Sequence, residues 1–150
     1  MTKIFEPTVA FLEANRWDFV KDVEDNIIHT GYQGRHDNWQ CYARAREEQN
    51  QLVFYSIAPT RAPIERREAV ALFLMHVNYG LILGNFELDL SDGEVRFKTS
   101  LDIGNHNLTN SLIKPVIFTN VSMMDKYWPA IKSIIDGTSL EEVVALLDEW

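Results

Sequence analysis

Three groups of residues in this chain are of types that do chemistry. The first lies in "GNFELDLSDGEVRFKTSLDI", Gly84 to Ile103, with five acids, two bases and a knot of Asp, Ser, Asp and Gly. A calcium loop of the EF-hand kind places its glycine sixth, with acids first and third. With Gly93 sixth, those positions fall on Leu88 and Leu90, so the spacing rejects calcium. A catalytic acid cluster fares no better once the stretch is read as a hairpin. Asp92-Gly93 as a two-residue turn is the strongest short hairpin signal. It sets Leu90 against Val95, Leu88 against Phe97 and Phe86 against Thr99 on a core face. On the other face Asp89 meets Arg96 and Glu87 meets Lys98, opposite charges worth roughly 0.2–1 kcal/mol per pair.

The second group is Cys41 with the four histidines, His29, His36, His76 and His106. A thiol nucleophile needs a base and an activating environment. Alternation in "NWQCYARA" instead puts Cys41 beside Trp39, Ala43 and Ala45, the setting of a small buried thiol. The histidines show no zinc spacing and no second cysteine accompanies them, so no metal site is expected. The third group is Asp18, Asp22, Glu24 and Asp25 in "DFVKDVEDN", read as a solvated acidic connector. "GLILG" lacks both the Walker lysine and the dinucleotide-binding spacing. No serine sits in a nucleophile elbow. The chain therefore offers no assembled catalytic set and calls for no cofactor.

The elements that carry these residues follow from periodicity and punctuation. Pro7 suits the first turn of a short helix that ends near Asn15 or Arg16. Strands are expected over Ile27 to Gln33, Trp39 to Glu47 and Leu52 to Ala58. Pro63 opens a helix whose Val70, Phe73, Leu74 and Val77 face the core, with Gly80 as a left-handed stop. The hairpin follows. Thr109 caps helical chain reaching Ile135, kinked or broken at Pro129. Residues 138–150 form a short C-terminal helix, capped by Thr138 with Glu141 or by Ser139 with Glu142. The order α-β-β-β-α-β-β-α predicts an α+β fold with a mostly antiparallel sheet of about five strands and flanking helices.

Length and charge narrow the setting. The 150 residues suggest one domain over 1–150. A chain of that size buries roughly 70% of its unfolded surface without a metal or disulfide staple. A net charge of -8 argues against a general hold on nucleic acid and against adhesion to an anionic membrane. One cysteine forms no internal disulfide, so a reducing compartment is the default. The N-terminus lacks a long apolar segment and no run approaches the ~20 residues that span a bilayer. The expected address is cytoplasmic.

One face stands apart. With Gln49-Asn50 as a two-residue turn, Arg46 meets Val53, Arg44 meets Tyr55 and Tyr42 meets Ile57. This face mixes arginine, tyrosine and aliphatic residues, a composition enriched where proteins bind proteins. The reverse face, with Trp39, Cys41, Ala43, Ala45, Leu52 and Phe54, is the better core. Tyr42, Arg44, Arg46, Tyr55 and Ile57 are thus the candidate partner-binding residues.

"NYGLILGNFELDLSDGEVRFKTSLDI" followed by "LTNSLIKPVIFTNVSMMDKYWPAI" resembles the YbjN family, labelled bacterial sensory-transduction regulators. "RAREEQNQLVFYSIAP" is similar to its cyanobacterial-type members. The likeness runs from about Phe11 to Ile135. It implies a fold like that of type III secretion chaperones, small α+β proteins that dimerise and bind other proteins. It implies no established reaction and no catalytic residues. The leading expectation is a non-catalytic dimeric adaptor or chaperone-like regulator that binds a protein or peptide segment. The alternatives are a small-molecule sensor, with a cleft between the sheet and Met123, Met124, Tyr127 and Trp128, and a cysteine enzyme at Cys41.

Overall fold

The computed structural model describes residues 2–147. The first helix, α1, spans Phe5–Ala14. Its start is closed from a distance, because the Glu47 carboxylate accepts the N–H groups of Lys3, Ile4 and Phe5 at 2.8, 3.1 and 2.7 Å. These are donors a helix start leaves unsatisfied, and a carboxylate also suits the positive end of the dipole. Four antiparallel strands follow: β1 (Phe19–Asp22), β2 (Ile27–Gln33), β3 (Asn38–Arg46) and β4 (Gln51–Ile57). Then come α2 (Arg67–Gly80), β5 (Asn85–Leu88), β6 (Val95–Asp102), α3 (Asn110–Ile135) and α4 (Leu140–Leu147).

The fold is α+β, as expected, with six strands in the order β1-β2-β3-β4-β6-β5, every neighbour antiparallel. The strand not foreseen is β1, which occupies part of the supposed acidic connector. Phe19 and Val20 pair opposite Thr30 and His29. Asp22 Oδ1 accepts the Asp25 N–H at 3.1 Å and Asn26 takes a left-handed conformation, which closes the turn. The acids shape a tight turn there instead of a solvated linker.

α2 and α3 lie against the sheet, with α1 packed onto α3 and α4 onto α2 and α3. Leu52, Phe54 and Phe97 from the strands meet Phe73 of α2 and Ile113, Ile117, Met124 and Ile131 of α3, all fully buried. α3 runs unbroken through Pro115 and Pro129. A proline removes one N–H bond, which its long buried face outweighs by packing. α2 ends at Gly80 without a left-handed residue and leaves through extended Leu81, whereas Gly137 beyond α3 does turn left-handed. At α4 the Glu142 N–H meets Ser139 Oγ at 3.2 Å, which selects Ser139 as the cap. The expected last helix extended to 150; its positions 148–150 lie outside the described residues.

The sheet edges are short. At β5, Asn78 of α2 accepts the Phe86 N–H at 2.8 Å and donates to the Phe86 carbonyl at 3.0 Å. A side-chain amide thus stands in for a seventh strand and closes that edge to pairing with another chain.

Both hairpin registers differ from expectation by two residues. Tyr42 lies opposite Tyr55 and Arg44 opposite Val53, because Glu47–Gln49 form a 3-10 turn and left-handed Asn50 completes a four-residue loop. Phe86 lies opposite Phe97 and Glu87 opposite Arg96, because Leu90 to Gly93 loop out. Leu90 is consequently exposed and not in the core. Asp89 does not meet Arg96; it accepts the N–H and hydroxyl of Ser91 at 2.9 and 2.6 Å.

Candidate functional site

The side of the sheet away from the helices is open, and side-chain alternation decides what it shows. β3 turns Trp39, Cys41, Ala43 and Ala45 to the helices, all buried. Tyr42, Arg44 and Arg46 therefore face outward, joined by Val53, Tyr55 and Ile57 of β4. The structure brings the five candidate residues onto this one surface. It adds His29 from β2, Arg96 and Lys98 from β6 and Glu87 from β5, through the pairings His29–Tyr42, Tyr55–Lys98, Ile57–Arg96 and Glu87–Arg96.

These groups form a ladder across the strands. The Tyr42 and Tyr55 rings pack tilted by 31°, with centroids 4.7 Å apart. The Arg96 guanidinium lies 4.3 Å from the Tyr55 centroid, a cation–π contact. Arg96 Nε donates to Glu87 at 2.8 Å and Lys98 Nζ to the other Glu87 oxygen at 3.0 Å. Arg96 Nη1 also reaches the Tyr42 hydroxyl at 3.4 Å. Burial opposes ionisation of Glu87, but the bonds from Lys98 and Arg96 outweigh it and hold its carboxyl below the usual value. Burial raises the Tyr42 phenol more than the Arg96 charge lowers it, so Tyr42 stays protonated at physiological pH.

Arg44 and Arg46 differ from Arg96. Both are exposed, and neither has an ion-pair partner among the described residues. They flank a depression of about 590 Å³ floored by Val53 and Tyr55. A second depression of about 220 Å³, reaching Lys98 and Ser100, shares Arg46, Val53 and Tyr55 with it. Of the nearby acids, Glu47 closes α1, and Asp102 accepts from Gln51 Nε2 at 3.0 Å and the Gly104 N–H at 2.8 Å, while Asp25 and Glu48 line the same depression as the two arginines. The site is a shallow trough with Val53 and Tyr55 in its lining and both cations, Arg44 and Arg46, and acids, Asp25 and Glu48, around it. A wider depression of about 880 Å³ lies where the loop after α1 meets the ends of β2, β3 and β4.

Sequence reasoning missed Arg96, Lys98, Glu87 and His29. Their outward parity was legible, but not the neighbour order: β6 reaches β4 only because the chain crosses through α2 and β5 first.

The other candidates fall elsewhere. Cys41 is buried on the helix side, its Sγ 3.5 Å from Ser56 Oγ. His29 is on the opposite face of the sheet and His36 is exposed in a turn, so the structure brings no histidine to the thiol from these positions. Burial pushes the thiol up to about 11, more than the hydrogen bonds of Ser56 and Trp39 lower it. A disulfide-exchange probe should not react with native Cys41 at pH 8 on a scale of minutes, and should react fully in denaturant. Rapid native reaction would contradict the dry setting. Because folding raises this pKa, its contribution to stability is present below about pH 9 and is lost as pH rises toward 11. Met124 and Trp128 are core residues, with Trp128 Nε1 donating to Asp37 at 3.2 Å. Met123 and Tyr127 pack against the same core. Among the described residues, no group of three or more His, Cys, Asp or Glu is placed to hold a metal, and no helix is long and apolar enough to cross a membrane.

Comparison with known proteins fits this architecture. No curated protein matches the chain. Among solved structures it is similar to YbjN from E. coli, with a TM-score of 0.62 and 13% identity over 87% of each chain. A chain of the ExsC–ExsE complex matches with a TM-score of 0.55 and 11% identity, covering 82% of this chain and 89% of that one. A chain of the HopA1–SchA chaperone–effector complex follows at 0.49 and 15%, covering 82% and 92%. At such identities the likeness is one of fold. A family model, described as "YbjN: Putative bacterial sensory transduction regulator", matches residues 9–133. With that match spanning most of its length, the chain belongs to the YbjN family.

Proposed function

We propose that the protein is a non-catalytic, dimeric adaptor or chaperone-like regulator, a single domain working in the cytoplasm, that binds a segment of another protein on the open face of its sheet. The observation that carries this reading is the pair of uncommitted arginines, Arg44 and Arg46, beside the packed Tyr42 and Tyr55 rings. The chain has net charge -8, yet among the described residues it keeps two guanidinium groups outside any ion pair beside Val53 and the Tyr42–Tyr55 rings. Arginine and tyrosine are the residues that most often dominate binding energy, and a guanidinium fork matches a carboxylate. The face suits an extended segment that alternates acidic and apolar side chains, with Ile57 further along the same face of β4, opposite Arg96. A fold shared with a chain of a two-protein complex supports the reading. Within the family, "RAREEQNQLVFYSIAP" supports the cyanobacterial-type branch.

The test compares proteins captured from a lysate by the wild type and by the Arg44→Glu/Arg46→Glu variant. Both positions are exposed, so the variant should keep the wild-type circular dichroism spectrum and unfolding transition. Partners held by the wild type should be lost, with affinity reduced about 30-fold or more, the scale of one hot-spot residue. Capture should also weaken with added salt, since the rim is open to screening. An identical captured set would sink the assignment of this face.

A further inference from the structure

We infer that the hollow over Gly31 seats an aromatic side chain of the bound segment, four residues along that segment from the acid held by Arg44 or Arg46. This rests on the segment-binding reading above and extends its site. The starting point is a glycine that the fold does not ask for. Gly31 lies inside β2, on the open side of the sheet, and is exposed. A glycine within a strand costs stability, because it gives up more freedom on folding and has no side chain to pack. It occurs where a strand bulges, where it bends tightly, or where another group comes close to the backbone. β2 pairs with β3 one to one from Ile27–Arg44 to Gln33–Asn38, so the ladder is neither bulged nor interrupted. Gly31 is not left-handed, unlike Gly93 and Gly104. Nothing in the chain crowds it either. A Cβ built there would meet only the Trp39 carbonyl oxygen, at 3.5 Å, an ordinary contact. What remains is close approach by a group from outside the chain.

The bare backbone lies in the depression of about 880 Å³. Gln33, Asn38 and Gln40 stand around it on the same side of the sheet, through the pairs Gln33–Asn38 and Gly31–Gln40. All three are exposed, and among the described residues none takes a hydrogen bond through its side-chain amide. Arg16 and Asp18, also in the lining, carry opposite charges, so the hollow has no net charge to draw in an ion. A planar apolar ring suits such a place. In a sheet, an aromatic ring from a neighbouring strand covers the backbone that a glycine leaves bare. The neighbour here supplies none, since the residue opposite is Gln40. The amides around the ring offer donors and acceptors to the main chain of an extended segment.

The hollow and the trough are parts of one face. Gln40, Tyr42 and Arg44 succeed one another on the outward side of β3. Ile57, opposite Gln40, lines the hollow, and Tyr55, opposite Tyr42, lines the trough. Gln40 and Arg44 are four residues apart, roughly 13 Å along a strand that rises ~3.3 Å per residue. An extended segment lying along β3 covers that distance in four residues of its own. Its side chains alternate, so the two ends point to the same side. The recognised element is therefore an acid and an aromatic residue four positions apart in an extended stretch.

Selection of displayed random dodecapeptides on the wild type, on Gly31→Val and on Arg44→Glu/Arg46→Glu tests this. The wild type should enrich peptides with Asp or Glu four positions from Phe, Tyr or Trp. Gly31→Val covers the bare backbone, so it should keep the preference for the acid and lose that for the aromatic residue. The arginine variant should lose the preference for the acid. Binding of one enriched peptide, followed by fluorescence anisotropy, should weaken about 10-fold or more in Gly31→Val. Replacing the peptide's aromatic residue by alanine should cost as much, and the two losses should not add, because both remove the same contact. Free Gly31→Val should keep its circular dichroism spectrum and unfold about 2 °C higher, since a β-branched residue suits a strand and the Cβ has room. A gain in stability with a loss of binding is what a merely structural glycine would not give. An acid preference without the aromatic residue, or full affinity in Gly31→Val, overturns the hollow and leaves the segment-binding reading standing. A Gly31→Val protein that fails to fold also overturns it, since the fold itself would then require the glycine. No enrichment by the wild type overturns both.

Discussion

Asn120→Asp should destabilise the protein by roughly 4 kcal/mol or more at pH 7, a large part of the 5–15 kcal/mol a domain usually has. Asn120 lies on the buried side of α3 and is fully enclosed. Its Nδ2 donates toward the Phe54 carbonyl at 2.8 Å, the Phe97 carbonyl at 3.1 Å and Thr99 Oγ1 at 3.0 Å. One amide thus ties α3 to both β4 and β6, the strands that carry Tyr55 and Arg96 on the far face. Aspartate keeps the shape and replaces the donor with an anionic oxygen facing three acceptors. Thr99 cannot help, because its hydroxyl already donates to the Val116 carbonyl at 2.6 Å. An uncompensated buried charge is among the costliest single changes.

The pH dependence of that loss is the sharper test. Protonation gives the introduced carboxyl one O–H donor, so folding raises its pKa above the unfolded value of about 3.9. A raised folded pKa means the deficit against wild type is smallest below about pH 4 and grows as pH rises. Urea unfolding of both proteins at pH 4 and pH 7.5 measures the two differences. Asn120→Ala, which loses the bonds without gaining a charge, should show a deficit that does not change between these pH values. Equal deficits for Asn120→Asp at both pH values would mean that the site is wet.

The two hairpins show what the sequence makes legible and what it hides. In each, a two-residue turn is the natural reading and a four-residue loop is what forms. The register therefore moves by two residues while the faces of the residues still paired stay as read, since side chains alternate with period two; Leu90, drawn into the loop, is the exception. Tyr42, Arg44 and Arg46 point to open solvent under either register. Their opposite residues do not survive the shift, because the deciding contacts are not local. Glu47 leaves the ladder to close α1, whose first turn precedes it by more than forty residues. Asp89 bonds Ser91 two residues on, so its charge serves the loop instead of the expected pair with Arg96, and Asp92 likewise accepts the Glu94 N–H. The family likeness carried further than any single motif, because it spans elements whose packing no local pattern specifies.

Gly93→Ala should cost about 3 kcal/mol, for a reason the Asp-Gly signal does not contain. Gly93 has φ +82°, and a Cβ built there would lie 2.0 Å from the Ala62 carbonyl oxygen. The obstacle is backbone, so no rotamer change relieves it. The loop tip is docked: the Ala62 N–H donates to the Gly93 carbonyl at 2.8 Å, and Gly93 donates to Asp89 at 2.7 Å. Arg67, the first residue of α2, holds the same place, with Nε on the Ala62 carbonyl at 2.9 Å and Nη1 on the Leu90 carbonyl at 3.2 Å. A methyl at 93 must push the hairpin tip off the segment that leads into α2. Two other glycines separate the contributions. Gly104 is also left-handed, at φ +55°, but a Cβ there meets nothing within 4 Å. Gly104→Ala should carry the backbone strain alone, about 1 kcal/mol. Gly80 is neither left-handed nor crowded, so Gly80→Ala should be neutral or stabilise by up to ~1 kcal/mol. Thermal unfolding of the three variants orders them, and the excess of Gly93→Ala over Gly104→Ala measures the docking. If the two fall together, the tip is not held by Ala62. If the excess appears, the same lock sets where α2 begins, because Arg67 bonds the Ala62 and Leu90 carbonyls together.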